Sequence, residues 1–220
     1  MNRFIFLPLL IWIACESPTK TEDGASNSNP IVFSDLQVGQ SSRYVSFAIS
    51  GFWSQERTFE YTYDSLIITI TTDTGDGYLV TERFVDTDTT DWWVGNDTVI
   101  YRLQVANDTL WYFQTSSYDS YSRIFGWFSS LYLPLAADTG AEVTLNDWLP
   151  IFPSGVCCQG TLDNLDVLGQ SYGPLSVKFN DMTPVDGPAG WWLYSGADGL
   201  VRHMSINPWT SSGKGWDLLP

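Results

Sequence analysis

The chain has 220 residues, of which 44% are hydrophobic, including 11 Trp, 11 Tyr and 12 Phe. That is enough apolar material for a substantial core, and it excludes a disordered chain. Twenty-five acidic residues against 10 basic ones leave a formal charge of −15, a sign that repels phosphate backbones and excludes nucleic acid as a partner.

Asn2 and Arg3 open the chain with a short positive stretch, and residues 4–14 form an apolar run broken only by Pro8. A membrane-spanning helix needs about 20 apolar residues, so this run is too short to cross and reads as the core of a secretory signal. It ends in Trp12-Ile13-Ala14-Cys15, which resembles the lipobox of bacterial lipoproteins. In that pattern the cysteine thiol is diacylated and cleavage makes the cysteine the new N-terminus; Trp12 stands where an aliphatic residue is usual. Two acyl chains hold a protein on a bilayer stably where one does not. Residues 16–30 carry no large apolar side chain, the composition of a flexible tether. The expected organisation is therefore a signal peptide at 1–14, a lipidated Cys15 with its tether at 15–30, and a single β-rich domain at 31–220. The lipid bilayer is the expected partner through acylated Cys15. The location is the cell envelope, at the outer membrane where the cell has one, with the membrane face left open.

Period-2 alternation dominates the first half of the domain. Val45, Phe47 and Ile49 share one face of a candidate strand, and Leu66, Ile68 and Ile70 share one face of the next. Residues 78–85 and 98–105 continue the series, the second with Val99, Tyr101, Leu103 and Val105 opposite Arg102 and Gln104. Residues 109–115 form a further strand, rich in aromatics. Such β-branched and aromatic runs suit pleated, half-buried surfaces. The breaks at 74–77, 95–97 and 106–108 supply Gly, Asn and Asp, which tolerate positive φ. Asn-Asp-Thr recurs at 96–98 and 107–109, a spacing that marks an antiparallel meander. Residues 121–135 read as a short helix or as two strands around Gly126. Leu162, Leu165 and Leu168 read as one helical face or an irregular strand. Strand character returns at 175–179, 191–194 and 200–206. The expected fold is mainly β: an antiparallel meander curling into a barrel-like sheet or sandwich, with at most one or two short helices.

The stretch from Leu36 to Tyr44, with Leu36, Val38 and Gly39, resembles the opening Leu-x-Val-Gly-x-x-Trp-x-Tyr of a family of bacterial envelope lipoproteins. The stretch from Tyr194 to Arg202, with Tyr194, Gly199, Leu200, Val201 and Arg202, is similar to that family's closing Tyr-x-x-Gly-x-Gly-Leu-Val-Lys, and residues 133–144 echo the opening around Gly140. Ser42 and Val143 stand where the family has Trp, and Ala197 replaces a Gly. The resemblance implies a β-rich envelope lipoprotein and carries over no catalytic residue.

Several constellations invite chemistry. Gly169-Gln170-Ser171-Tyr172-Gly173 matches the G-x-S-x-G nucleophile elbow, and Asp198 and His203 come after it in triad order. That elbow needs a strand before it and a helix after it, whereas Pro174 and a strand come next here, so a Gly-rich turn is the simpler reading. His203 shares a strand face with Val201 and Ser205 and reads as a polar surface or rim residue. A single histidine excludes a multi-histidine zinc site. The acids at 73–76 and 86–91 lack the ordered oxygen ligands of a calcium loop and suit hairpin turns. No metal and no cofactor is implied.

Cys157 and Cys158 are adjacent, and thiols in an oxidising compartment seldom stay free. The options are a vicinal disulfide stiffening a loop, two free buried thiols, or links to another chain; the first is favoured. Trp92-Trp93 and Trp191-Trp192 suggest stacking on sugars. Neighbouring side chains on a strand point to opposite faces, however, so at least one Trp of each pair should join the core and its neighbour should carry any ligand contact. The functional expectation is a non-enzymatic, membrane-anchored structural or binding module. A glycan, a lipid or an envelope protein is the candidate partner. The alternatives are a carbohydrate- or lipid-binding lipoprotein using exposed Trp, and a serine hydrolase through Ser171.

Overall fold

The computed structural model describes residues 29–52, 57–85, 98–115, 121–126, 130–135, 159–180, 189–207 and 209–220. These residues contain no helix and include thirteen strands: β1 (Ser41–Ser50), β2 (Thr58–Asp73), β3 (Tyr78–Val85), β4 (Thr98–Ala106), β5 (Thr109–Gln114), β6 (Ser130–Pro134), β7 (Gln159–Leu162), β8 (Leu165–Val167), β9 (Gln170–Tyr172), β10 (Leu175–Asn180), β11 (Ala189–Ser195), β12 (Gly199–Asn207) and β13 (Ser212–Leu218). Eleven make one sheet in the order β6-β5-β4-β3-β2-β1-β13-β12-β11-β10-β7, every pair antiparallel, and β8 and β9 form a separate hairpin. The expected mainly β architecture is the observed one.

The meander β1–β6 obeys the sequence alternation. In β4, Val99, Tyr101 and Leu103 point inward and are almost wholly buried, while Arg102 and Gln104 face out. Asn107 and Asp108 turn the chain into β5 with φ of 52° and 55°, the conformation short Asx side chains tolerate. Residues 121–126 are neither helix nor strand: they form a turn closed by a Ser122–Gly126 bridge, which drops Ile124 and Phe125 into the core. Leu162 ends β7 and Leu165 begins β8, so the leucines at 162 and 165 are strand residues rather than a helical face.

The C-terminal strands break the alternation. Residues 190–195 of β11 are all buried, so both faces of this strand are covered. On one face Trp192 donates its indole N–H to the carbonyl of Ile124 at 2.8 Å. On the other, Trp191 packs against Phe52 with ring centroids 5.1 Å apart. Phe47 of β1 lies over Gly215 of β13, its register partner, and a Cβ there would collide with the ring. Only glycine admits that approach.

The sheet curls but does not close through backbone hydrogen bonds. Its two ends are β6 and β7, and side chains bridge the gap from β11 instead. The Tyr194 hydroxyl donates towards the carbonyls of Pro134, at 2.8 Å, and Leu135, just beyond β6. Phe33, in the segment leading to β1, packs on the Tyr194 ring at 6.3 Å.

Candidate functional site

The expected site residues fall into two groups. Cys15, Cys157, Cys158, Trp92 and Trp93 lie outside the described residues, as do the acids at 86–91. Trp191 and Trp192 are both buried, at 4% and 2% exposure, so neither half of this pair presents a ring to a ligand. Both faces of β11 are covered, which is why both rings of this pair, and not one alone, join the core.

Two of the triad candidates are engaged in local bonds, and the third stands on a hairpin. Ser171 sits exposed on β9, in a hairpin turned by Leu168 and Gly169 at φ of 49° and 85°. It therefore stands on a hairpin, not on a strand-to-helix elbow. Asp198 accepts the Ser195 hydroxyl at 2.8 Å inside the β11–β12 turn. His203 is a core residue at 4% exposure, not the rim residue expected. Its Nδ1 stands 3.0 Å from the Trp191 carbonyl, and its ring stacks on Trp192 with centroids 5.2 Å apart. Burial pushes the imidazole pKa down to about 4, against the hydrogen bond to Trp191. The ring is neutral at pH 7 and donates from Nδ1. The acids at 73–76 serve the β2–β3 turn: Asp73 accepts the Gly75 N–H at 2.7 Å, and Asp76 accepts the Thr74 hydroxyl at 2.8 Å. Among the described residues no three His, Cys, Asp or Glu side chains gather as metal ligands.

Inside the curl lies a polar kernel. Glu82 alternates with Val80 and Phe84 on the inward face of β3 and is fully buried. Its carboxylate accepts the Ser122 hydroxyl at 2.7 Å and the Arg123 backbone N–H at 2.6 Å. The Ser122 oxygen in turn accepts the N–H groups of Ile124 and Phe125 at 3.1 and 3.0 Å, so the hydroxyl proton is left to point at Glu82. Burial raises the Glu82 pKa to about 6, and the bonds from Arg123 and Ser122 oppose it. Burial likewise pushes the Tyr44, Tyr101 and Tyr112 hydroxyls up. The Tyr101 and Tyr112 hydroxyls have no hydrogen-bond partner among the described residues. An adjoining apolar cavity of about 10 Å³, lined by Ile31, Phe33, Tyr44 and Ile124 among others, is at the lower limit for one water molecule. This kernel holds the turn at 122–125 in place, with Glu82 and Ser122 buried.

The outward face of β4–β6 is the opposite case. Trp111 and Phe113 alternate with the buried Leu110 and Tyr112, so both point away from the core. Their rings lie parallel within 9°, centroids 6.5 Å apart. Tyr132 of β6 is the register partner of Trp111 and packs on it at 5.6 Å. Trp111 is 37% exposed and Tyr132 54%. Arg102 stacks over Phe113 at 4.6 Å and bonds Asp76 at 2.5 Å. Ile100 and Gln104 share this outward face of β4. Composition points to the Trp pairs and misses this trio, because the partners stand about twenty residues apart in the chain. The signal available was parity: Trp111 and Phe113 occupy alternate positions opposite Leu110 and Tyr112.

No protein-family model and no curated protein matches the chain. Among solved structures six chains match. One is a crystal structure described as a putative outer membrane lipoprotein-sorting protein domain, from Vibrio parahaemolyticus. It is 11% identical, with 82% of this chain and 83% of that chain covered, at a TM-score of 0.22.

Proposed function

We propose that this chain is a bacterial envelope lipoprotein, held to a membrane through acylated Cys15, whose β-domain is a non-enzymatic structural or binding module. The observation that carries the reading is Cys15 itself, placed directly after a short apolar run and Ala14 and before fifteen residues without a large apolar side chain. The commitments of Asp198 and His203 to separate local bonds, and the place of Ser171 on a hairpin, support the non-enzymatic part. Replacing Cys15 by Ser is expected to abolish palmitate labelling and to move the protein out of the membrane fraction. If labelling and fractionation are both unchanged, the lipoprotein reading fails. A fluorophosphonate probe is expected to leave Ser171 unlabelled; labelling lost in Ser171→Ala would establish a hydrolase instead.

A further inference from the structure

We propose that the outward face of β4–β6, built on Trp111, Phe113 and Tyr132, binds an uncharged oligosaccharide of all-equatorial pyranose rings. The claim goes beyond the envelope reading and does not depend on acylation of Cys15. Trp111, in ring contact with Phe113 on one side and Tyr132 on the other, stands on the solvent side of strands whose inward positions already fill the core with Leu110, Tyr112, Leu131 and Leu133. Outward positions of the adjoining strands carry Ile67, Thr69 and Thr71 on β2 and Leu79, Thr81, Arg83 and Val85 on β3, with no aromatic ring among them. A lone exposed aromatic needs no explanation, but a contiguous cluster marks an interaction surface.

Charge chooses the occupant. The protein carries −15, yet this face is locally neutral: its cation Arg102 is paired with Asp76, and Ile100, Gln104, Trp111, Phe113 and Tyr132 bear no charge. A net charge of −15 disfavours anionic headgroups and phosphates, and among the described residues a cation finds no unpaired carboxylate beside the rings. A neutral partner with an apolar face and polar edges fits. A pyranose with every hydroxyl equatorial presents axial C–H groups on both faces and hydroxyls at its rim, so its faces match the rings while Gln104 and Arg102 stand beside its edge. Tyr132 packed on Trp111, and Arg102 held between Asp76 and the Phe113 ring, restrain the platform before any ligand arrives, which lowers the ordering cost of binding.

The test is calorimetric titration of the full chain, in detergent, with cellohexaose, chitohexaose and β-1,4-mannohexaose, whose axial hydroxyl interrupts one face. The gluco-configured pair should bind and the mannan should bind several-fold more weakly. Trp111→Ala and Tyr132→Ala should each weaken binding about tenfold, the loss expected for a central aromatic contact. Trp209→Ala, in the turn between β12 and β13 and 76% exposed, should leave it unchanged. Unfolding midpoints of all variants, by circular dichroism, check that each is folded. Failure of every sugar to bind at about 10 mM, or binding indifferent to Trp111→Ala, overturns the proposal. Two further results also overturn it in favour of another occupant. One is co-sedimentation with phosphatidylcholine vesicles that falls in Trp111→Ala; the other is a dimer in sedimentation velocity that the same substitution dissolves.

Discussion

Acidifying the protein should set two buried groups against each other, and His203 supplies the larger effect. Its imidazole ordinarily titrates at 6.5 and in the fold at about 4. Above pH 6.5 neither the folded nor the unfolded chain holds the extra proton. As pH falls from 6.5 towards 4 the unfolded chain takes it up and the folded chain does not, so stability is lost across that window. At 1.36 kcal/mol per pH unit the gap amounts to about 3 kcal/mol. Glu82 runs the other way. Its folded value of about 6 lies above the ordinary 4.5, so its contribution is fully present below pH 4.5 and lost as pH rises through 6, about 2 kcal/mol in all. Many surface carboxylates titrate in the same range, so the comparison must be with a variant. His203→Asn keeps an N–H near the Trp191 carbonyl and cannot titrate. Urea unfolding of both proteins at pH 7, 5.5 and 4 should show wild type losing about 3 kcal/mol relative to His203→Asn on acidification, whatever the offset at pH 7. Two curves that run parallel from pH 7 to 4 would refute a buried neutral imidazole.

Asp217 is fully buried, accepts both the Nε and Nη2 of Arg202 at 2.6 Å, and accepts the Tyr61 hydroxyl at 2.7 Å. Asp217→Ala strands the guanidinium and should cost about 3–5 kcal/mol in urea unfolding; a loss below about 1 kcal/mol would show the pair is not closed in solution. Trp192→Ala should cost about 3–5 kcal/mol, the loss of a core indole and its bond to Ile124, whereas Trp111→Ala should cost less, about 1–2 kcal/mol, because it loses contacts with Phe113 and Tyr132 on a partly exposed face. Equal costs in the same assay would contradict the two placements. Gly215→Ala drives a methyl against Phe47 and should lower stability by about 1–3 kcal/mol or more, read as a lower thermal midpoint.

Which parts of the fold were legible depends on which contacts are local. Val99, Tyr101 and Leu103 against Arg102 and Gln104 declare their faces because one side of β4 meets water. Asn107-Asp108 declares its turn because few residues accept two successive positive φ values. Trp191 and Trp192 could not be placed this way: the period of two carries information only where one face is wet, and β11 is covered on both. Glu82 was readable by parity with Val80 and Phe84, but its acceptance of bonds from a turn about forty residues later was not. The exposed trio was hidden by chemistry, since Trp and Phe in a strand argue for the core by composition and only the register with Tyr132 gathers them outside.

The position of β13 has a consequence for how the chain is made. The last strand in sequence lies in the middle of the sheet, bonded to β1 on one side and β12 on the other. Until residues 212–218 emerge, β1–β6 and the strands β10–β12 with β7 are two separate half-sheets, each with an open edge where β13 belongs. Unpaired edges of that length invite intermolecular pairing, and a pairing that spans nearly the whole domain is slow to find. A chain delivered N-terminus first therefore has its other described hairpins before it can complete the sheet, and two open edges persist until β13 pairs with β1 and β12.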